Sequence, residues 1–305
     1  MPNALEIRSL TKTYATGVEA LCGIDLTVAQ GDFFALLGPN GAGKTTIINI
    51  VTGLVNKSSG SVMIEGISID DNAPKAKLHV GVVPQEFNFG IFDKVLDIVV
   101  NQAGYYGIPR TTALLRAKEY LTKLGLGDKL DAKSMTLSGG MKRRLMIARG
   151  LVHQPALLIL DEPTAGVDIE LRRGMWEFLT ELNRSGTTII LTTHYLEEAE
   201  QLCKNVAIIN KGEIVAKGAI KTLLANMEEE TFVFELDRTP DRAMIHSLAR
   251  YQPKSEEGAT LELVITPKLS INDAVRDLNS IGLTVKSLKN KTNRLEEFFM
   301  SQTSK

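Results

Sequence analysis

The sequence has few of the features that mark secreted, membrane-spanning or nucleic-acid-binding proteins. Its 305 residues include only two cysteines, Cys22 and Cys203, which lie far apart, so we expect neither a disulfide framework nor a zinc site. No apolar run approaches the ~18 residues that a membrane-spanning helix needs, and the first residues lack the pattern of a secretion signal. Lysine and arginine total 35 against 36 aspartate and glutamate, so no polyanion-binding surface is indicated. We expect a cytoplasmic chain that binds no nucleic acid.

A glycine-rich loop carries the first chemical signal. It follows the apolar run Phe33 to Leu37, which predicts a buried strand, and it precedes an apolar helix from Ile47 to Leu54. This context is typical of a phosphate-binding loop, because glycines let backbone N–H groups approach phosphate oxygens at a helix N-terminus. The competing interpretation is a glycine turn with an unrelated lysine. The loop comprises Gly38, Pro39, Asn40, Gly41, Ala42, Gly43, Lys44, Thr45 and Thr46.

Three side chains of this loop would have distinct roles towards a nucleoside triphosphate. Lys44 would bridge the β- and γ-phosphates, the Thr45 hydroxyl would ligate Mg²⁺, and Thr46 would reach the α-phosphate. The sequence contains one such loop, so the working unit needs a second copy or a homologue.

Two carboxylates follow the apolar run Leu157 to Leu160, which predicts a central parallel strand. Side chains alternate along a strand, so Asp161 and Glu162 should point to different places. We expect Asp161 to hold Mg²⁺, through a water, and Glu162 to polarise the attacking water as a general base. Alone, such a pair is more often a solvated strand end. The phosphate loop upstream favours the catalytic interpretation.

Two further polar residues follow strand-like runs. His194 comes after Thr188 to Thr193, and Gln85 comes after Val80 to Pro84. Ligands gather at the carboxyl ends of parallel strands, so His194 could contact the γ-phosphate and hold Glu162 in line, and Gln85 could reach Mg²⁺ or the water. The alternatives are a hydrogen-bonded histidine and a polar surface glutamine. The other histidines lack such a context and are expected to be structural: His79, His153 and His246.

A second glycine-rich loop, Leu137 to Met141, opens a later helix. We interpret it as the other half of a nucleotide site shared between two copies of the chain. It contains Ser138, Gly139 and Gly140. The two loops together predict an ATP-driven clamp.

The order of these motifs resembles the ABC ATPases over roughly residues 4–225. The resemblance implies an α/β P-loop NTPase fold, with a RecA-like core, an antiparallel β subdomain and a helical signature subdomain. It implies head-to-tail dimers, in which Ser138 and Gly140 of one subunit cap the γ-phosphate held by Lys44 of the other. The matching elements are Tyr14, where the family stacks an aromatic on adenine, Walker A (38–46), the Q-loop (Gln85), the signature (137–140), Walker B (157–162), the D-loop (165–168) and the switch histidine (His194).

Met141 stands where many members have glutamine, and the chain continues Lys142-Arg143-Arg144-Leu145. This combination resembles ATP-binding subunits of ABC-2-type exporters, including the bacterial YadG-type group. The resemblance implies ATP and Mg²⁺ as cofactors, a homodimer, and a separate permease that would hold the chain at the cytoplasmic face of the membrane. Two alternatives stay open, namely an importer subunit and a non-transport ABC ATPase acting on nucleic acid or the ribosome.

The chain divides into two predicted domains. Residues 1–226 contain all the motifs, with a helical region at 91–154 and a hairpin around Lys211-Gly212. Residues 227–305 alternate like strands at 231–236, 260–265 and 283–288, with helices between them and Ser270 as an N-cap. We expect a small C-terminal α+β domain that serves packing, dimer support or regulation.

Aromatic residues concentrate in about twenty residues after the strand-like run at 80–84. In ABC transporters this stretch flanks the groove that receives a helix of the membrane subunit. Exposed aromatic residues often mark protein interfaces, so one interpretation is a docking surface for that helix. The alternative is that some of these rings fill the core. The aromatic cluster comprises Phe87, Phe89, Phe92, Tyr105 and Tyr106.

Overall fold

The computed structural model of the 305-residue chain describes residues 3–164, 167–225, 229–255, 258–266, 268–291 and 294–303. The chain forms two compact units, Met1–Ala219 and Ile220–Lys305. The predicted domain boundary at 226/227 lies outside the described residues. No helix within the described ranges is both long and apolar enough to cross a bilayer.

The first unit contains ten strands, seven α-helices and two short 3₁₀ helices, Gly127–Lys129 and Ser134–Thr136, in its described part. The strands are β1 Asn3–Thr13, β2 Glu19–Ala29, β3 Phe33–Leu37, β4 Ser59–Ile64, β5 Ile67–Ser68, β6 Val80–Val83, β7 Leu157–Asp161, β8 Thr188–Thr192, β9 Asn205–Asn210 and β10 Glu213–Ala219. The helices are α1 Lys44–Val51, α2 Ile69–Lys77, α3 Val95–Tyr105, α4 Arg110–Lys123, α5 Gly139–Leu151, α6 Ile169–Arg184 and α7 Leu196–Leu202.

A six-stranded sheet in the order β10-β9-β3-β8-β7-β6 forms the centre of this unit. All neighbours from β9 to β6 pair in parallel, and β10 closes a hairpin with β9. Every residue of β3, β7 and β8 is buried, as expected for strands covered on both faces. Because these strands are parallel, their carboxyl ends share one edge, where the predicted site residues follow β3, β6, β7 and β8.

Two further layers complete the first unit. A four-stranded sheet, β2-β1-β4-β5, is antiparallel throughout, and its inward residues pack into one core with β3 and α1. Helices α3, α4 and α5 pack against one another and occupy most of the region predicted to be helical. The predicted hairpin is also present, since Lys211 and Gly212 have φ of 48° and 80°, the left-handed pair that a tight β-turn uses.

The second unit contains α8 and a separate α+β fold, as predicted in outline. Its elements are α8 Ile220–Ala225, β11 Glu230–Leu236, α9 Arg242–Ser247, β12 Lys254–Ser255, β13 Thr260–Ile265, α10 Ile271–Ser280, β14 Val285–Asn290 and α11 Arg294–Thr303. The order β-α-β-β-α-β from β11 to β14, with strands arranged β12-β13-β11-β14, is the ferredoxin-like split βαβ topology. The predicted cap is present, because Ser270 and Asp273 form a capping box at α10.

Candidate functional site

The phosphate loop follows β3 and leads directly into α1. Gly41 and Gly43 have φ of 80° and 114°, a region that side chains rarely adopt. A Cβ on Gly38 would lie 2.3 Å from the carbonyl oxygen of Ile209, so this position also excludes larger residues. Pro39, Asn40 and Gly41 are exposed. The loop therefore presents its backbone to solvent in front of a helix N-terminus, the arrangement that binds phosphates.

Lys44 is the first residue of α1, and its side chain turns back over the loop. Its Nζ donates to the carbonyl oxygens of Gly38, at 2.7 Å, and Pro39, at 3.1 Å. Burial lowers the pKa of Lys44, while the charges of Glu162 and Asp161 raise it. Two neutral carbonyls compensate a buried ammonium less well than phosphate oxygens would, because hydrogen bonds between ionised partners are stronger. Lys44 is thus poised to bind an anion.

Asp161 ends β7 on the same edge of the sheet. Its carboxylate is buried, with 7% of the residue exposed, and it accepts a hydrogen bond from the Thr192 hydroxyl at the end of β8. Burial raises the pKa of Asp161, and the Thr192 bond and the charges of Lys44 and Arg143 lower it. A buried carboxylate is costly unless a cation or donor compensates it, which suits a magnesium ligand.

The Glu162 carboxylate contacts the side chains of both Gln85 and His194. Its Oε2 accepts a hydrogen bond from Gln85 Nε2 at 3.1 Å and lies 3.3 Å from His194 Nδ1. The side chain of Glu162 is 14% exposed, whereas that of His194 is 52% exposed. Two side chains therefore contact this carboxylate at the carboxyl end of the sheet, the edge where ligands gather in open α/β sheets.

The orientation of Glu162 has a cause different from the predicted one. Strand β7 ends at Asp161, and Glu162 has φ of 50°, a left-handed conformation that is uncommon for a residue with a side chain. Its backbone N–H donates to the Thr192 carbonyl at 3.0 Å. The carboxylate is therefore oriented by a turn that is hydrogen-bonded to β8, and not by the alternation of side chains along a strand.

Tyr14 lies directly after β1 and reaches the phosphate-loop helix. Its hydroxyl is 3.3 Å from Thr46 Oγ1, and the Lys12 ammonium lies 4.9 Å from the ring centroid. Thr45, in the same first turn of α1, is exposed. The predicted adenine-stacking residue and one predicted magnesium ligand therefore both lie at the first turn of α1, next to the phosphate loop.

The signature loop, Leu137 to Met141, has no hydrogen bond to the phosphate loop among the described residues. Ser138 caps α5, with its hydroxyl accepting from the Met141 N–H at 3.3 Å. Ser138 and Gly139 are exposed, whereas Gly140 is buried, and a Cβ there would lie 3.0 Å from Leu171 Cδ1. Residues 165 and 166 of the predicted D-loop lie outside the described residues, and Asp168 caps α6.

Arg143 belongs to the site's surroundings, although sequence analysis gave it no role. Its guanidinium donates to the carbonyl oxygens of Pro84 and Gln85, each at 2.8 Å, from a position only 4% exposed. The sequence carries a signal for it. Gly140, Ile147 and Leu151 are buried on the same face of α5, so a charged residue at position 143 interrupts an apolar face and requires buried partners.

Comparisons with known proteins agree with this geometry. The family model described as "ABC transporter" matches residues 21–165. The chain is 41% identical to the Nod factor export ATP-binding protein I of Cupriavidus metallidurans, with 72% of each chain covered. It is 38% identical to the linearmycin resistance ATP-binding protein LnrL of Bacillus subtilis, covering 75% of this chain and 73% of that protein.

A solved structure shows the same fold. A dimeric ATP-binding cassette in a post-hydrolysis state, bound to ADP and Pi, matches with a TM-score of 0.65 and 28% identity, covering 71% of this chain and 98% of that one. Its bound products are those of ATP hydrolysis. The phosphate loop, the two carboxylates at the end of β7 and these similarities lead to one conclusion, namely that the chain belongs to the ABC transporter family and is an ATP-binding ATPase of that family.

Proposed function

We propose that this chain is the ATP-hydrolysing subunit of an ABC-2-type membrane exporter. The names of its relatives support export, because they refer to Nod factor export and linearmycin resistance. The Met141-Lys142-Arg143-Arg144 sequence after the signature supports the ABC-2 type. Cargo recognition would belong to a separate permease.

Within one subunit, the phosphate loop would hold the nucleotide phosphates and Tyr14 would stack on adenine. Thr45, Gln85 and Asp161 would hold Mg²⁺, which neutralises phosphate charge in such sites. The buried carboxylate of Asp161 fits a cation, since burial raises its pKa and nearby positive charge lowers it. Glu162 would take the proton of the attacking water, and His194 would hold this carboxylate and the γ-phosphate in line.

The second half of each site would come from another subunit. Ser138 and Gly139 are exposed at the N-terminus of α5, where hydroxyl and N–H groups can bind phosphate. In a head-to-tail homodimer, Ser138, Gly139 and Gly140 would cap the γ-phosphate held by Lys44 of the second copy. ATP binding would close the dimer, and loss of the γ-phosphate would release it.

The permease would bind beside the Q-loop. A surface groove there is lined by residues in or next to β6, α3 and α5, among them Val82, Pro84, Gln102, Tyr106 and Arg149. Tyr105 and Phe92 are 86% and 68% exposed, and unpaired exposed aromatics are typical of protein interfaces. We expect the chain to lie at the cytoplasmic face of the membrane through this contact.

The observation that carries the proposal is the convergence of Gln85 and His194 on the Glu162 carboxylate. Glu162→Gln should retain ATP binding but lower steady-state ATP turnover by about 10²-fold or more, the usual contribution of a general base. Purified protein, Mg²⁺ and a phosphate-release assay measure turnover, and nucleotide titration measures binding.

The matched control is Glu119→Gln, because Glu119 is exposed on α4 and pairs only with Lys123 among the ion pairs described. It should hydrolyse ATP at the wild-type rate. Near-normal turnover by Glu162→Gln would contradict the proposal.

A further inference from the structure

Arg143 connects two parts of the site that the sequence separates by more than fifty residues. It lies one turn after the start of α5, the helix that Ser138 caps. Its two terminal nitrogens donate to consecutive carbonyls, Pro84 O and Gln85 O, each at 2.8 Å. Its guanidinium carbon also lies 5.1 Å from the ring centroid of Phe87.

This geometry fixes the backbone of the Q-loop. An arginine fork that binds two successive carbonyls constrains position and orientation together, which a single donor cannot do. The residue whose backbone is held is Gln85, and the Gln85 side chain in turn donates to Glu162 Oε2 at 3.1 Å. Arg143 therefore reaches the proposed general base through one intervening residue.

We propose that Arg143 is a positioning residue that couples the signature loop to Gln85, and through Gln85 to Glu162. Ser138 caps α5, and Arg143 lies about one turn further along the same helix. A displacement of α5 when its N-terminus binds the second subunit's nucleotide is transmitted by the fork to Gln85. The Gln85 amide then aligns the Glu162 carboxylate. This inference rests on the proposed function, because it concerns the same shared site.

The test is a double-mutant cycle on steady-state ATP hydrolysis by the full chain. Arg143→Met should lower kcat about 10- to 100-fold, the loss expected when a catalytic group is displaced, with little change in KM for ATP. Adding Arg143→Met to Gln85→Ala should lower kcat by less than about twofold more, because residues that act through one another are non-additive. Arg143→Lys should recover part of the loss, since an ammonium can still donate to one carbonyl.

Arg144→Met is the matched control. Arg144 lies on the same helix and also donates to a backbone carbonyl at 2.8 Å, but that carbonyl belongs to Leu124. Arg144→Met and Gln85→Ala should act independently, so the double variant should lower kcat by the product of the two single fold-changes. Thermal unfolding of every variant separates loss of folded protein from loss of alignment. If Arg143→Met does not fold, Arg143→Lys replaces it in the same cycle.

Fully multiplicative effects of Arg143→Met and Gln85→Ala, as in the control, would overturn the inference. Glu162→Gln in the same assay identifies which proposal fails. If Glu162→Gln is inactive while the Arg143 cycle is additive, the coupling alone is wrong. If Glu162→Gln turns over normally, the proposed function is wrong as well.

Discussion

At the scale of single residues, the site keeps two opposite charges out of water. Burial lowers the pKa of Lys44 and raises that of Asp161, so burial disfavours the charged form of both. Phosphate oxygens beside Lys44 and a magnesium ion beside Asp161 would reverse both effects. Nucleotide binding would therefore offset a cost that the free protein carries, which favours binding MgATP as one unit.

A half-buried histidine outside this site predicts a pH dependence of stability. His153 stacks on Tyr106, with ring centroids 3.6 Å apart, and its Nε2 lies 3.0 Å from the Val80 carbonyl oxygen. Burial lowers the pKa of His153 to about 4. The unfolded chain binds this proton below pH ~6.5, whereas the folded chain does not. The neutral His153 therefore contributes to the free energy of unfolding above pH ~6.5. This contribution, up to about 3 kcal/mol, is lost as the pH falls towards 4.

His153→Gln should flatten this dependence, because glutamine cannot gain the proton. Urea unfolding at several pH values between 7 and 4.5 measures it, with fluorescence of Trp176, the chain's single tryptophan, reporting on the first unit. His79→Gln is measured alongside, because it makes the same exchange at another half-buried histidine of the same unit. An unchanged slope in His153→Gln would show that another group causes the effect.

Sequence patterns predicted which residues lie at the site, but they did not predict how the side chains are oriented there. Motif spacing predicted that Lys44, Asp161, Glu162, Gln85 and His194 follow strand ends or open a helix, and parallel strands place them at one edge. The left-handed turn at Glu162 could not be predicted, because it depends on Thr192, thirty positions away. The roles of these residues stay predictions until variants are measured.

At the scale of secondary structure, buried elements were easier to predict than exposed ones. Strands β3, β7 and β8 are continuous apolar runs because both faces are covered. Strand β14 was predicted at 283–288 but spans Val285–Asn290, since most of its residues are exposed and its ends are set by pairing with β11. The ferredoxin-like topology of the second unit was not predicted either. Local sequence patterns indicate where strands lie, but they do not show which strands pair in the sheet.

Helix α5 provides a prediction about dimer formation. The Glu162→Gln variant should dimerise when ATP is added, because bound ATP would be held from both sides. Adding Ser138→Arg should block this, since it places bulk and positive charge at the exposed start of α5. Analytical ultracentrifugation with and without ATP measures both outcomes.

Ser185→Arg is the control for that experiment. Ser185 is equally exposed, but it follows the last residue of α6, at the opposite end of that helix from Asp168. It should dimerise like its parent. If Ser138→Arg also dimerises as well as its parent, the shared-site proposal is wrong.

At the scale of the whole molecule, the proposed role in export requires a membrane partner. The structure changes which aromatic residues are candidates for that contact. Tyr106 packs on His153 and Phe89 is half-buried, whereas Phe87, Phe92 and Tyr105 are exposed. The packing interpretation therefore suits Tyr106 and Phe89, and the interface interpretation stays a prediction for the three exposed rings. The exposed rings are the ones to change.

Tyr105→Asp and Phe92→Asp should weaken recruitment of the chain to membranes that contain its permease. A carboxylate buried in an apolar interface costs several kcal/mol unless it is paired. Leu115→Asp is the control, because Leu115 is 72% exposed on α4 but lies outside the aromatic cluster. Membrane fractionation after co-expression measures recruitment, and nucleotide titration should show unchanged ATP binding in all three variants. Full co-purification of Tyr105→Asp and Phe92→Asp with the permease would exclude this surface as the contact. Equal loss in Leu115→Asp would mean that negative charge anywhere on these helices weakens recruitment.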